Sequence, residues 1–207
     1  MSFEKEKYVV IKNILSKDVL KLSYNYITQK KKVYDFMLEE KVVSTVTNYN
    51  YWGNTDTQVS DCHYASYGDL LMDMILENLK PKIEKKINME LIENYTYTRI
   101  YKTGNELARH TDRASCEISG TLNLGGDNWS IFLDPTGGKN KEGISVNLNP
   151  GDILIYRGSD LEHWREPFDG QYCVQCFVHY HDKNGQFKNR EKYDNRKLLG
   201  IPMNIGV

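Results

Sequence analysis

Hydrophobic residues in the first half of the chain recur at the spacing of amphipathic helices. Ser16 is placed to cap a first helix, because its hydroxyl can accept a hydrogen bond from a backbone N–H of the first turn. The apolar face of this helix consists of Val19, Leu20, Tyr24 and Ile27. Ser66, followed three residues later by Asp69, predicts the start of a second helix. Its apolar face consists of Leu70, Leu71, Met74, Ile75 and Leu79.

Two further features shape this half of the chain. Pro81 predicts the end of the second helix and the first turn of a third, since proline has no N–H to continue a helix. Residues 47–67 are polar and aromatic, and predict a loop rather than a regular element. Two interpretations of this stretch stay open, a lid or substrate-binding edge and packing beneath the helices. The aromatic residues concerned are Tyr49, Tyr51 and Trp52.

From Glu93 onward the pattern alternates with a period of two, which is typical of strands. One face of the first strand carries Tyr95, Tyr97, Arg99 and Tyr101, and the other carries Thr96, Thr98 and Ile100. Further strand-like segments are 117–124, 129–133, 144–148, 152–156 and 172–180. Short strands separated by Gly-, Pro-, Asn- and Asp-rich turns predict a sandwich or barrel. We therefore expect an α+β fold, with a double-stranded β-helix (jelly-roll) core and supporting N-terminal helices.

Length and charge narrow the possible functions. The 207 residues predict a single domain, with mainly helical support and a variable loop in 1–92, the jelly-roll core in 93–182 and a C-terminal tail in 183–207. The 27 basic and 28 acidic residues leave a net charge of −1, so neither nucleic acid nor membrane is expected as a partner. The start resembles no signal peptide, and the four cysteines form no evident disulfide framework, which predicts a reduced, cytoplasmic protein.

Three residues form a candidate metal site. His110 and Asp112 are two residues apart, so in an extended chain their side chains point to the same side, and a jelly roll can return the later His163 beside them. Two imidazoles and one carboxylate on one face of a metal leave the opposite positions open, as in non-haem Fe(II) oxygenases. A His-x-Asp pair is by itself a weak signal of a metal site, so the motifs around it in the sequence must be considered as well.

The surrounding motifs resemble those of the prolyl 4-hydroxylase-like family of 2-oxoglutarate/Fe(II) dioxygenases. The resemblance runs from Glu93 to Asp182. The matching pieces, in order, are Tyr101-x-x-Gly104, His110-x-Asp112, Gly126 and Gly137-Gly138, Asn149-Pro150-Gly151-Asp152 before Ile153-Leu154-Ile155-Tyr156, and His163-x-x-x-Pro167 before the 172–180 strand. Each piece is common in proteins, whereas the ordered set is specific to the family.

This resemblance implies an enzyme whose His110, Asp112 and His163 bind Fe(II) and act in catalysis. 2-Oxoglutarate would be the co-substrate, O₂ the oxidant and ascorbate the reductant. Oxidative decarboxylation to succinate and CO₂ would be coupled to hydroxylation of a C–H bond. A carboxylate at Asp112 favours hydroxylation over halogenation, because halogenating relatives typically carry a small residue there. The implied substrate is a peptidyl proline, by analogy alone.

The sequence departs from the family at the residue that anchors the far carboxylate of 2-oxoglutarate. Relatives usually carry Lys or Arg nine or ten residues after the distal histidine, where this chain has Tyr172 and Cys173. Arg165 is the first candidate to replace it, because it lies two residues after His163 on the same side of an extended segment and can bind a carboxylate in bidentate fashion. Arg99 is the second candidate. Tyr101 and Asn123 are candidates for additional hydrogen bonds to the co-substrate.

Other clusters are better explained without chemistry. Cys173 and Cys176 would point to opposite faces of a strand, which favours core packing over a zinc or redox site. His179 and His181 are predicted to lie at an exposed strand end. The run Lys30-Lys31-Lys32 is predicted to be a solvated helix end.

Alternative functions stay open beside the hydroxylase. The absent late-strand cation is compatible with a non-catalytic jelly-roll module that binds a metal or ligand. Within the same chemistry, the substrate could be another peptide side chain, a small metabolite or a nucleobase, the last disfavoured by the lack of a basic stripe. The sequence does not indicate an oligomeric state.

Overall fold

The computed structural model describes residues 3–44, 51–54, 56–59, 61–139, 142–190 and 192–201. Tyr49, one of the aromatic residues of the predicted loop, lies outside the described residues. The helices are α1 (Phe3–Glu6), α2 (Lys17–Glu39) and α3 (Leu70–Ile87). No helix within the described ranges combines the length and apolar character needed to cross a membrane.

The strands assemble into two antiparallel sheets, and this confirms the predicted jelly-roll core. They are β1 (Tyr8–Ile11), β2 (Tyr64–Tyr67), β3 (Leu91–Lys102), β4 (Leu107–His110), β5 (Ile118–Gly126), β6 (Ile131–Asp134), β7 (Ile144–Val146), β8 (Ile153–Arg157), β9 (Glu162–Arg165) and β10 (Tyr172–Asp182). The larger sheet has the order β1-β8-β5-β10-β3-β2, and the smaller has the order β4-β9-β6-β7.

Helices cover one face of the larger sheet. Ile118 and Val178 of this sheet pack with Leu76 and Leu79 of α3 in the largest apolar cluster. The alternation predicted for β3 is confirmed, since Thr96 donates to Asp73 of α3 at 2.7 Å while Tyr101 packs in a separate cluster between the sheets. The residues between the sheets are therefore those available to form a site.

The start of α3 corrects one prediction. Asp69, not Ser66, is the N-cap, and its side chain accepts a hydrogen bond from Met72 N at 3.1 Å. Ser66 is unavailable because it pairs with β3 as part of β2. Ile75 and Leu79 of the predicted apolar face are buried, whereas Leu70 and Met74 are about half exposed, at 48% and 51%.

Pro81 does not end α3, contrary to the prediction. The helix continues through it to Ile87, with Pro81 on the exposed face. Leu79 and Ile83 on either side are fully buried. The carbonyl that a proline leaves unpaired is that of Glu77, which is also exposed and can bind water. Burial of the opposite face of α3 thus outweighs the loss of one backbone hydrogen bond at Pro81.

Part of the predicted 47–67 loop is a strand. Tyr64–Tyr67 forms β2 at the edge of the larger sheet and pairs with β3. Trp52 is partly buried against the largest apolar cluster. Tyr51 is 40% exposed, and its ring lies 4.4 Å from the Lys30 amine. Four-residue strands with mixed polarity give little periodic signal, which explains why the sequence pattern predicts a loop here.

Lys30 is buried rather than solvated, and α2 continues beyond it to Glu39. Its amine forms an ion pair with Asp69, the N-cap of α3, which also accepts a hydrogen bond from Tyr26 at 2.8 Å. A buried carboxylate requires such partners. Cys173 and Cys176 are fully buried in different apolar clusters, and this confirms their predicted role in core packing.

Candidate metal centre and co-substrate pocket

Pairing of two short strands brings the predicted metal ligands together. β4 and β9 are antiparallel, and His110 lies directly opposite His163 in their register. Asp112 follows the end of β4, where its backbone N–H donates to Gly158 O at 2.8 Å. The smaller sheet therefore brings together two histidines that are far apart in the sequence, as predicted for a jelly roll.

The three side chains converge on one point. Asp112 Oδ1 lies 3.6 Å from His110 Nε2 and 3.5 Å from His163 Nε2. The two imidazole rings have centroids 4.3 Å apart. One ligand atom from each residue lies within 4.8 Å of the others, so one cation can contact all three.

Main-chain carbonyls set the tautomers of both histidines. His110 Nδ1 lies 2.7 Å from Ala108 O, and His163 Nδ1 lies 3.0 Å from Leu161 O. A carbonyl can only accept, so Nδ1 carries the proton in each neutral ring. Both Nε2 lone pairs are then directed toward Asp112 Oδ1, which is the arrangement that metal-binding histidines adopt.

Asp112 is held by groups on its far side. Ser119 Oγ lies 2.7 Å from Asp112 Oδ2 and 3.0 Å from His179 Nδ1. Gly158 also packs against the carboxylate, since a Cβ at this position would lie 2.5 Å from both Cys116 O and Ser119 Oγ and closer still to Asp112 Oδ2. A residue with any side chain at Gly158 would therefore displace the carboxylate.

The electrostatics of the cluster favour an anionic Asp112. Burial on its own would raise the pKa of this carboxyl, but the adjacent imidazoles of His110 and His163 hold it well below its ordinary value. Burial also disfavours the charged form of His179 and lowers its pKa to about 4, so this imidazole is neutral near pH 7. Neutral nitrogen donors and a carboxylate fit a divalent first-row metal.

The cluster opens onto a cavity of about 510 Å³. His110, Asp112 and His163 lie in its lining together with Gln58, Arg99 and Phe177. Ligands on one side and a cavity on the other are what a facial triad with vacant positions requires. The donor set, its tautomers and its surroundings thus fit a catalytic Fe(II) centre better than a closed structural zinc site.

Arg165, the first predicted anchor, is fully buried on β9, two residues after His163. Its Nη1 donates to Trp129 O at 2.5 Å, and its guanidinium lies 4.9 Å from the centre of the Trp129 ring. Its Nε and Nη2 have no hydrogen-bond partner in the part of the chain that the structure describes. Burial lowers the pKa of Arg165, yet arginine stays protonated in proteins. The result is a buried cation with two open donors, the complement of a carboxylate.

Tyr101 completes the surroundings of Arg165. Its ring is fully buried and packs edge-on against Trp129, with centroids 4.8 Å apart. Burial raises the pKa of the phenol, although the nearby cations Arg99 and Arg165 oppose this. The hydroxyl stays protonated, and its hydrogen bond to the co-substrate stays a prediction.

Arg99 and Asn123, the other predicted co-substrate residues, already have partners. Arg99 Nε donates to Asp56 Oδ2 at 2.5 Å, and its Nη2 donates to Gln58 Oε1 at 2.7 Å. Asn123 Nδ2 donates to Leu148 O at 2.6 Å, and its Oδ1 accepts from Gly125 N at 2.9 Å. These contacts give Arg99 a role in the cavity wall and Asn123 a role in holding the chain after β5.

Two predictions about histidines are corrected. His179 and His181 are buried, at 6% and 1% exposure, rather than lying at an exposed strand end. His179 lines the cavity, and His181 Nε2 lies 2.9 Å from Asn94 Nδ2. His179 packs against the Tyr95 ring and Ser119, and His181 packs against Asn94 and Phe187, and these contacts bury both imidazoles. The sequence pattern carries no signal for Ser119, Gln58 or Gly158, whose positions depend on distant partners, and it wrongly predicts an exposed His179.

Comparison with known proteins confirms the resemblance at the level of the fold. No protein-family model matches the sequence, and no curated protein matches it. Among solved structures, a prolyl-4-hydroxylase from Pseudomonas putida is similar, with TM-score 0.60, 13% identity, and coverage of 87% of this chain and 95% of that chain. EctD from S. alaskensis in its apoform has TM-score 0.62 and 12% identity over 87% of this chain and 75% of its own.

A third similar structure contains nickel and 2-oxoglutarate. HygX from Streptomyces hygroscopicus, with nickel and 2-oxoglutarate bound, has TM-score 0.58 and 11% identity, and the alignment covers 88% of this chain and 85% of that chain. At these identities the similarity concerns architecture, whereas the function depends on the site. The chain therefore has the fold found in prolyl-4-hydroxylase and other 2-oxoglutarate-dependent oxygenases.

Proposed function

We propose that this protein is an Fe(II)/2-oxoglutarate-dependent dioxygenase that hydroxylates a C–H bond. The observation that carries the proposal is the convergence of His110, Asp112 and His163 in the lining of a cavity, with a buried Arg165 that has two open donors on the same strand as His163. Bound Fe(II) would supply activation of O₂, coupling decarboxylation of 2-oxoglutarate to succinate and CO₂ with oxidation of the substrate, and ascorbate would maintain the reduced metal.

The proposed ligand atoms are His110 Nε2, His163 Nε2 and Asp112 Oδ1. The backbone carbonyls of Ala108 and Leu161 hold the rings in the tautomer that exposes these nitrogens. The ligands are therefore oriented before the metal arrives, which reduces the entropic cost of binding.

Arg165 is proposed to bind the far carboxylate of 2-oxoglutarate through its Nε and Nη2, with the Tyr101 hydroxyl beside it. A buried dicarboxylate needs a cation, and Arg165 can supply parallel hydrogen bonds without giving up its contact with Trp129 O. Arg99 is less suitable, because binding a carboxylate would break its ion pair with the buried Asp56.

The cavity favours a small polar substrate or a single residue of a peptide. Each arginine in its lining has an acidic partner, Asp56 for Arg99 and Asp194 for Arg113, which lies 2.7 Å away. These pairs leave little net charge to attract a nucleotide or another highly charged molecule. A peptidyl proline is the proposed substrate, and a small metabolite or a nucleobase is the alternative. No nucleic acid or membrane partner is proposed.

The non-catalytic binding module is the second candidate. It depended on the absence of a cation at Tyr172 and Cys173, and Arg165 supplies a buried cation from β9 instead. The geometry therefore supports the enzyme better than the module.

Anaerobic addition of Fe(II) and 2-oxoglutarate tests this proposal. The chelate gives a weak visible charge-transfer band, and we expect it with the native protein and with Asp18→Ala, an exposed control on α2. We expect no band with Asp112→Ala. Admission of air should then release succinate, measured across proline peptides and small metabolites. Absence of the band in the native protein, or its persistence in Asp112→Ala, would reject the proposed centre, and a band without succinate release would favour the module.

A further inference from the structure

The Gln58 carboxamide lies between Arg99 and His110. Its Oε1 accepts from Arg99 Nη2 at 2.7 Å, and its Nε2 lies 2.8 Å from His110 Nε2. Since arginine has donors only, the contact with Arg99 fixes which end of the amide is oxygen. The NH₂ group therefore faces His110.

This contact involves the nitrogen proposed to bind the metal. Because His110 Nδ1 carries the proton donated to Ala108 O, His110 Nε2 is an acceptor in the neutral ring. Gln58 then donates into the lone pair that a metal would need. One lone pair cannot serve both partners, so the hydrogen bond and the metal–nitrogen bond exclude each other.

The backbone beneath Gln58 is fixed. Asp56 Oδ1 accepts from the backbone N–H groups of Gln58, at 2.9 Å, and Val59, at 2.8 Å. Asp56 Oδ2 accepts from Arg99 and, at 3.0 Å, from the Tyr97 hydroxyl. The segment is thus attached to β3, while the Gln58 residue itself is exposed to the cavity and to solvent. Side-chain rotation is enough to release His110 without moving the segment.

We propose that Gln58 is a positioning residue that occupies the His110 ligand nitrogen in the metal-free protein and turns away when the metal binds. This inference rests on the proposed metal centre and adds to it a metal-free state in which Gln58 is hydrogen-bonded to His110 Nε2. The segment 56–59 and Arg99 hold the amide against His110, so metal binding exchanges one hydrogen bond for one coordination bond. Gln58 then faces the cavity with free N–H donors.

The structure distinguishes this role from that of an additional ligand. Coordination by Gln58 would require its oxygen to face the metal, but Arg99 holds that oxygen on the opposite side. A competing hydrogen bond and a ligand have opposite effects when deleted. Removing the competitor strengthens metal binding, whereas removing a ligand or a purely structural contact weakens it.

Calorimetric titration of metal-free protein with Co²⁺ alone, without co-substrate, tests the proposal. We expect Gln58→Ala to bind Co²⁺ about 2- to 10-fold more tightly than the native protein, because a typical hydrogen bond no longer competes. Thr57→Ala, from the same segment and the same cavity lining, is the matched control and should leave the affinity unchanged. In ¹⁵N spectra of metal-free protein, the His110 Nε2 resonance should shift in Gln58→Ala and not in Thr57→Ala.

The outcomes separate this inference from the proposed function. Unchanged or weaker Co²⁺ binding by Gln58→Ala, with binding still abolished by His163→Ala, would overturn the role of Gln58 and leave the metal centre intact. Absence of Co²⁺ binding by the native protein would overturn both. Tighter binding in Gln58→Ala together with the nitrogen shift would support the inference.

Discussion

Ser119 Oγ donates a hydrogen bond to Asp112 Oδ2 at 2.7 Å, and His179 Nδ1 lies 3.0 Å from Ser119 Oγ. A hydroxyl has one proton, so when Ser119 donates to the carboxylate it accepts from the imidazole N–H. Residues of β5 and β10 therefore fix the position of Asp112 Oδ2, and Asp112 Oδ1 faces the two histidines. The orientation of Asp112 is therefore set by the larger sheet, although His110 and His163 belong to the smaller one.

Ser119→Ala should weaken metal binding by about 10- to 100-fold, because partners that orient a ligand typically contribute this much. Thr121→Ala is the matched control, since this hydroxyl lies on the same face of β5 but contacts Gln175. Co²⁺ titration of both variants measures the effect. Equal affinities in the two variants would show that Asp112 needs no orienting partner.

Gly158→Ala should disturb Asp112 without touching the histidines. The added methyl would meet Ser119 Oγ and Cys116 O at 2.5 Å, which forces the carboxylate or the chain to move. We expect a loss of about 1–3 kcal/mol in the free energy of unfolding and weaker metal binding. Urea denaturation and Co²⁺ titration check this, and native values in both would contradict the close packing described for Gly158.

Arg165→Ala should raise the dissociation constant for 2-oxoglutarate at least tenfold, because a hydrogen bond to a charged group contributes about 1.5–3 kcal/mol. Metal affinity should stay unchanged, since Arg165 contacts none of the proposed ligands. Titration of the Fe(II)-loaded protein under anaerobic conditions gives the constant. If Arg99→Ala has this effect and Arg165→Ala does not, the anchor is Arg99.

The Asp56–Arg99 pair should make stability depend on pH in acid. Burial alone would raise the pKa of Asp56, but Arg99 holds it below its ordinary value of 3.8. A carboxyl with a lowered pKa in the folded state contributes stability above the unfolded-state pKa, and that contribution is lost as the pH falls through the folded-state pKa.

The expected difference in the free energy of unfolding between native protein and Asp56→Asn is about 1.5–3 kcal/mol at pH 5–7, typical of hydrogen bonds to charged groups. It should shrink as the pH falls below about 4, where the carboxyl of the unfolded chain becomes protonated, and vanish as the pH falls through the lower folded-state pKa. Urea denaturation from pH 3 to pH 7 measures it. A difference that is independent of pH would mean that the pair contributes no charge-dependent stability.

Much of the core could be predicted from local pattern. β3 alternates polar and apolar faces over twelve residues, and β5 and β10 are nearly as long, so their periodicity is unambiguous. β2, β4 and β9 have four residues each, too few for a period to emerge. Their existence depends on pairing with partners far along the chain.

The same distinction between local pattern and distant partners applies to the candidate site. His110 and Asp112 could be brought together because two-residue spacing in an extended chain fixes a shared side, while the co-substrate role of Arg165 stays a prediction. Ser119, His179 and Gln58 could not, because each acts through a residue from another strand or segment. Lys30 shows the same limit, since its burial follows from the position of Asp69 and not from its own neighbours in the sequence.

The acceptors that fix both proposed metal-binding imidazoles are main-chain oxygens, two residues before each ring. No substitution at Ala108 or Leu161 can remove them, so the proton positions are a property of the strand backbone. Side chains around this centre can therefore diverge freely during evolution without altering which ring nitrogen is presented. Such a scaffold can replace cavity residues while both imidazoles keep the same ring nitrogen directed at the metal site.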